Sequence, residues 1–469
     1  MNKTLVSLTI TALLAGCSLI PDYQRPEAPV AADWGSNATG DSALNVSDIG
    51  WREFFVDEQL RKLIELSLQN NRDLRIAALN IEQARAMYRV QRADLFPTVD
   101  AGGIATHQRN PSTLNSGTGA SSGDSRVTHT YQADIGLTAY ELDFFGRIRS
   151  LNEQALQVYF ATEEAKRATQ ISLVAEIANA WLTRAADSER LRLAQETLAS
   201  QQNSYDLTRR RFELGVASEL DMRQAQTTMD TARVDVARYT TLIRQDENAL
   251  TLLVGAPLPD ELKPSGGMVE VTALAEIPVG LPSEVLQNRP DVLQAERMLM
   301  AANANIGAAR AAFFPTISLT ASIGTASSQL SDLFGAGSGF WTFIPQITVP
   351  IFNAGRNKAN LEVAELQKDI NVAQYEKTIQ TAFREVADAL ALKATINEQL
   401  DAQKSLVDAT DVSYRLSEAR FNSGIDNYLT VLDSQRAMYA SQQDLITLRL
   451  TLLNNQVTLY RALGGGWKE

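Results

Sequence analysis

Two histidines, His107 and His129, and one cysteine, Cys17, are the only side chains here that favour transition metals. An imidazole pair could ligate a metal or move a proton. Both histidines, however, fall in or beside a polar segment, and no cluster of carboxylates or thiolates accompanies them. No metal site is expected. A single cysteine excludes an intramolecular disulfide and a thiolate zinc site. A serine nucleophile of the hydrolase type would sit on a G-x-S-x-G strand-to-helix elbow; the one match, Gly119-Ala120-Ser121-Ser122-Gly123, falls in a polar Gly/Ser-rich connection and opens no helical run, so no hydrolase is expected. Gly464-Gly465-Gly466 follows a helical run and precedes none, so it is no phosphate loop. The sequence therefore predicts no catalysis and no cofactor. A net charge of −12 leaves no basic footprint for nucleic acid.

Cys17 has a different chemistry in view. Met1-Asn2-Lys3 is a short basic start, and Leu5 to Leu14 is an apolar stretch too short to span a bilayer. Leu14-Ala15-Gly16-Cys17 then places small residues before the cysteine. Residues 1–16 read as a secretory signal. The last four resemble a bacterial lipobox, which implies cleavage before Cys17 and acylation of it. Ser18 in the next position fits export to the outer membrane. Two or more acyl chains, at ~0.8 kcal/mol per buried methylene, anchor a protein stably. Beyond the signal no run of ~18 apolar residues occurs, so no transmembrane helix is expected.

The chain repeats itself. Asp94-Leu95-Phe96-Pro97-Thr98-Val99 returns as Ala312-Phe313-Phe314-Pro315-Thr316-Ile317, an offset of 218 (315 − 97). Arg211-Phe212-Glu213-Leu214-Gly215 returns as Arg420-Phe421-Asn422-Ser423-Gly424, an offset of 209 (424 − 215). Duplication on this scale points to a symmetric architecture.

Within each copy, period-two alternation predicts a pair of strands. The clearest segments are Val99 to Ala105, residues 130–139, Thr316 to Gly324 and Trp341 to Val349, each near the 9–11 residues of a tilted outer-membrane strand. Tyr131, Ile135, Ile317, Leu319, Phe343 and Ile347 are expected to face lipid, with Gln132 and Thr320 on the opposite face. Polar connections, His107 to Val127 and Ala326 to Gly339, suit the extracellular end of a barrel.

Everything else reads as helix. Ile148 to Phe212 and Asn357 to Phe421 lack Gly and Pro, and Gly215 and Gly424 follow as terminating glycines. At 1.5 Å per residue each run would be about 100 Å long. Glu219–Leu253 and Tyr428–Leu463 are the expected antiparallel partners, and Glu58–Arg92 and Ser283–Ala311 precede the strands. Four strands cannot close a barrel, and open edges are not tolerated in lipid. Strands from several subunits are needed, and cyclic symmetry supplies closure. Three chains would give 12 strands. A lipid-anchored coiled-coil scaffold that conducts nothing is the alternative, and it has no use for four membrane-length strands.

These residues together resemble the TolC superfamily, specifically its OprM-type outer-membrane efflux lipoproteins. The likeness spans the chain: the lipobox, Pro21-Asp22-Tyr23-Gln24-Arg25-Pro26, Asn71-Arg72-Asp73-Leu74, Tyr140-Glu141-Leu142-Asp143, Gly280-Leu281-Pro282-Ser283, Asn288-Arg289-Pro290-Asp291, Ile306-Gly307-Ala308-Ala309-Arg310 and Leu463-Gly464-Gly465-Gly466-Trp467. The resemblance implies a mixed α and β membrane protein, a homotrimer whose 12-stranded transmembrane barrel continues into a long periplasmic α-helical barrel. It implies the outer membrane of a Gram-negative bacterium, a periplasmic membrane-fusion adaptor and an inner-membrane resistance-nodulation-division pump as partners, and passive export of drugs and toxic small molecules.

The expected organisation is a signal (1–16), an acylated N-terminal segment (17–57), a first repeat (58–255, strand pair about 98–143), an equatorial linker (256–282), a second repeat (283–464, strand pair about 315–352) and a C-terminal tail (465–469). Arg211, Phe212, Gly215, Arg420, Phe421 and Gly424 resemble the tip motif that docks the adaptor. Leu429 and Asp433 lie four apart, hence on one helix face. Three copies would make an apolar constriction and an acidic, cation-selecting ring at the closed periplasmic end. Arg436 is the expected restraining partner, with Asp426 and Asp221 weaker candidates.

Overall fold

The computed structural model describes residues 18–32, 34, 49–110, 126–263, 268 and 283–467. Cys17, the signal, most of the polar connection after His107, and Gly280 to Pro282 lie outside the described residues. No helix among those described is long and apolar enough to cross a membrane.

In chain order the helices are α1 (Trp51–Phe54), α2 (Glu58–Asn70), α3 (Arg72–Ala93), α4 (Arg147–Glu213), α5 (Glu219–Val254), α6 (Pro290–Ala311), α7 (Arg356–Asn422) and α8 (Tyr428–Ala462). The strands are β1 (Val99–Asn110), β2 (Arg126–Leu142), β3 (Thr316–Ser327) and β4 (Gly339–Thr348). Helices α4 and α7 are each 67 residues long, as unbroken Ala, Leu, Gln, Glu and Arg sequence dictates. Two expected helices are interrupted. The run from Glu58 breaks at Asn71, whose extended backbone (ψ 135) ends α2 and whose side chain caps α3 by accepting from Leu74 N at 2.9 Å. The run from Ser283 begins as a 3-10 turn over Ser283–Asn288, and α6 starts only at Pro290, a first-turn proline.

The chain divides into two compact units. One gathers the described residues of Met1–Pro26, Glu82–Ala161 and Glu296–Gln374. Its sheet has the order β1-β2-β3-β4, every neighbour antiparallel. Strands β1 and β2 extend past the expected ends, because the ladder continues through Gln108, Arg109, Asn110 and their partners after the apolar alternation fades. His107 and His129 thus lie in strands, not in the connection. The N-terminal segment binds α6: Arg25 grips Glu296 with two 2.6 Å bonds, and Asn303 donates to Pro21 O at 2.8 Å.

The other unit gathers Glu27–Ile81, Thr162–Ala295 and Tyr375–Glu469, again for described residues. Its core includes Val174, Ile177, Ala178 and Trp181 of α4, at three- and four-residue spacing and all buried. Phe54 stacks on Tyr460 at 3.9 Å, and the Tyr460 hydroxyl donates to Ile49 O. Ser67 and Asn71 both donate to Leu253 O, tying α2 and α3 to the end of α5. Gly255 ends α5 at φ 72, and a Cβ there would press into the Asn70 carbonyl.

Candidate functional site

Register sorts the sheet into two chemically distinct faces. Val99, Ala101 and Ala105 pair with Leu137, Ile135 and Tyr131 on one face. Ile135 continues across to Ile323 and Trp341, and Leu142 to Ile317 and Ile347. The opposite face carries Gln132, Asp134, Glu141, Thr316, Ser318, Thr320 and Ser322. A bulge between Leu137 and Tyr140 inserts one residue into β2 and returns Tyr140 and Leu142 to the apolar face. Ala139, at φ 52, donates its amide to Thr320 Oγ1 at the bulge. Much of the apolar face is open among the described residues: Trp341 is 75% exposed, with Ile135, Ile323, Phe343 and Ile347 also open. Such a patch belongs against something apolar.

The motif at the end of β2 anchors the turn into α4. Tyr140 donates to Leu95 O, Glu141 takes two bonds from Arg147 at 2.8 and 2.6 Å, and Asp143 accepts from Arg149 N at 2.9 Å. The Arg147 guanidinium is held above its usual pKa, chiefly by its hydrogen bond to Glu141.

At the far end of α4 and α7 the two expected tips have the same construction. Gly215 (φ 75) donates to Phe212 O and Val216 to Arg211 O; Gly424 (φ 74) donates to Phe421 O and Ile425 to Arg420 O. These are paired Schellman closures, and a glycine suits the left-handed position. The tip residues differ in what they touch. Arg211 lies over the Phe421 ring, and Phe421 in turn meets Tyr428 at 5.2 Å. Arg420 is chelated by Asp426 at 2.6 and 2.9 Å, which holds the Asp426 carboxyl below the usual range. A cavity bounded by Thr208, Arg211, Ala217, Asp221, Phe421 and Tyr428 lies between the tips.

Among the residues expected at the gate, Leu429 and Asp433 are both exposed on the first turns of α8, and Arg436 reaches Asp433 at 3.5 Å. Asp221 occupies a capping box: it accepts from Ser218 N at 3.0 Å while its own amide donates to Ser218 Oγ. That local duty sets it apart from the other acids.

Two polar networks were not read from the sequence, although Arg289 and Asp291 of the first lie in the Asn288-Arg289-Pro290-Asp291 motif. Arg289, buried, bonds Asp291 at 3.0 and 2.8 Å, Glu385 at 3.1 Å and Ala462 O at 2.6 Å. Asp187, also buried, pairs with Arg190 at 2.6 Å, and Arg184 reaches Glu247 at 2.9 Å. Beside them Asp246 is pushed up to about 6, by burial first and then by the charge of Asp187, against the pull of Arg184 and Arg190.

Comparison with known proteins finds likeness over the whole length. A family model described as outer membrane efflux protein matches residues 63–256 and 281–465. The toluene efflux pump outer membrane protein TtgC of Pseudomonas putida is 54% identical, over 100% of this chain and 97% of its own. The outer membrane protein OprJ of Pseudomonas aeruginosa is 44% identical over 99% and 96%. The MtrE outer membrane channel of Neisseria gonorrhoeae, solved in its open state, superposes with a TM-score of 0.85 at 38% identity, covering 96% of this chain and 99% of that one.

Proposed function

The chain belongs to the outer membrane efflux protein family, and from that membership we propose that it is the outer-membrane conduit of a drug- and solvent-exporting pump, closed into a barrel by three copies. It is a transport protein and not an enzyme, and it acts at the outer membrane of a Gram-negative bacterium. The observation that carries the trimeric reading is the sheet. Strands β1 and β4 are edges within the chain, and the face they share is apolar and exposed. Lipid can cover that face, but it cannot satisfy edge amides and carbonyls, so β1 must pair with β4 of a neighbour.

On this reading the repeats 58–255 and 283–464 each supply one strand pair and one helical hairpin. The periplasmic adaptor docks at Arg211, Phe212, Gly215, Arg420, Phe421 and Gly424, where two short loops present exposed backbone. The gate is Leu429 and Asp433 with Arg436 as restraint; Asp426 acts through Arg420, and Asp221 shapes the tip by capping α5. A resistance-nodulation-division pump delivers the cargo, and acylated Cys17 adds an anchor.

The test has two arms. Cysteines placed on β1 and β4, at Gly103 and Pro345, should crosslink into covalent trimers in the outer membrane, and purified protein should give discrete conductance steps in planar bilayers. Monomers or dimers alone would overturn the trimer. Trimers without conductance, even with altered tips, would favour the scaffold.

A further inference from the structure

The chain contains two histidines, and they are register partners: His107 on β1 pairs with His129 on β2. Their rings meet edge to face at 4.7 Å, and the two Nδ1 atoms approach to 2.5 Å. Two ring nitrogens at that separation cannot both carry a hydrogen, so one acceptor lone pair faces the neighbouring ring. Both side chains are exposed, and the Tyr131 ring packs edge-on against His107 at 5.6 Å.

We infer that His107 and His129 form a two-imidazole chelate for a late first-row divalent transition-metal ion. Imidazole nitrogen selects Cu²⁺, Ni²⁺ and Zn²⁺ over the oxygen-seeking Mg²⁺ and Ca²⁺. Metal–nitrogen bonds of about 2.0 Å at a right angle place the ligand nitrogens about 2.8 Å apart. Opening the observed pair by a few tenths of an ångström suffices, and exposed rings on a fixed ladder can do so by small torsions. The two strands supply the preorganisation, since the cross-strand partners are held together by backbone bonds and not by the metal. Among the described residues no third His, Cys, Asp or Glu completes the set. Two imidazoles alone leave positions for water or an external donor, and binding of this kind is exchangeable. The site lies within one chain and does not depend on the trimeric reading.

The test is Cu²⁺ titration of the purified, full chain in detergent, read by calorimetry and by the nitrogen hyperfine pattern in electron paramagnetic resonance. One ion per chain with two equivalent nitrogens is expected, with affinity in the order Cu²⁺ above Ni²⁺ and Zn²⁺, and none for Mg²⁺. H107N and H129N should each weaken binding at least tenfold and reduce the pattern to one nitrogen or none. Retained heat-modifiable mobility on gels would show that both variants keep the fold. Equal affinity in wild type and both variants, or no binding to any, would leave a shared proton as the only link between the rings and overturn the inference.

Discussion

The Arg211 guanidinium sits 5.1 Å from the centre of the Phe421 ring, so the tip of the first repeat is clasped to the tip of the second. A cation over an aromatic face at a partly exposed site is worth about 0.5–1 kcal/mol. A double-mutant cycle with R211A and F421A should return a coupling of that size in denaturant unfolding of the helical region. Strictly additive losses would mean that the two tips are independent.

At the proposed gate, L429A combined with D433A should raise resting conductance and antibiotic uptake, and D433A alone should weaken cation preference. Arg436 holds Asp433 only through an exposed 3.5 Å contact, a pair worth about 0–1 kcal/mol. R436A should therefore shift conductance less than the double variant. Unchanged conductance and selectivity in L429A/D433A would place the constriction elsewhere.

The two faces of the sheet should respond oppositely to charge. F343K introduces a charge on the apolar face and should cost about 2–4 kcal/mol if that position is at the bilayer midplane, read as loss of folded protein in outer-membrane fractions. Q132K, on the polar face, should leave folding intact and alter ion selectivity. Equal tolerance of both would contradict the assignment of faces.

Asp246 predicts a pH dependence with a definite sign. Its folded value of about 6 lies above the ordinary aspartate value of 3.8, so the folded state binds the extra proton. Its contribution is fully present below about pH 4 and is lost as pH rises to about 6. D246N should flatten that part of the thermal stability profile and raise the melting temperature above pH 6. A profile identical to wild type would show that Asp246 ionises freely in the folded state.

Much of this architecture was legible from spacing. Strong period-two alternation located Thr316–Gly324, and absence of Gly and Pro located α4 and α7. Glycines after Arg-Phe located both tips. Polar ends of strands were not legible, since backbone pairing carries β1 to Asn110 without any apolar pattern. The capping role of Asp221 was written in Ser218-Glu219-Leu220-Asp221 but competed with its place beside the expected gate. Arg289 stood in the Asn288-Arg289-Pro290-Asp291 motif without any hint of its partners, and Asp187 gave no signal at all: a buried charge looks in sequence like a solvated one, and only packing supplies its partners. The same holds for the clasp of Arg211 on Phe421, because contacts between repeats have no fixed spacing.

The order of strands in the sheet has a kinetic consequence. Each outer pair is a local hairpin, but the central seam joins Leu142 to Ile317, 175 positions later (317 − 142). Closing a flexible loop of that length costs about 2 kcal/mol more than closing one of about 15 residues. The seam is thus the high-contact-order step, and it cannot form until the whole of α4 and α5 has been synthesised and exported. Until then the β1-β2 half-sheet waits with unpaired edges and an uncovered oily face, a species prone to aggregation. A chain built this way is most exposed to misassembly before the seam closes.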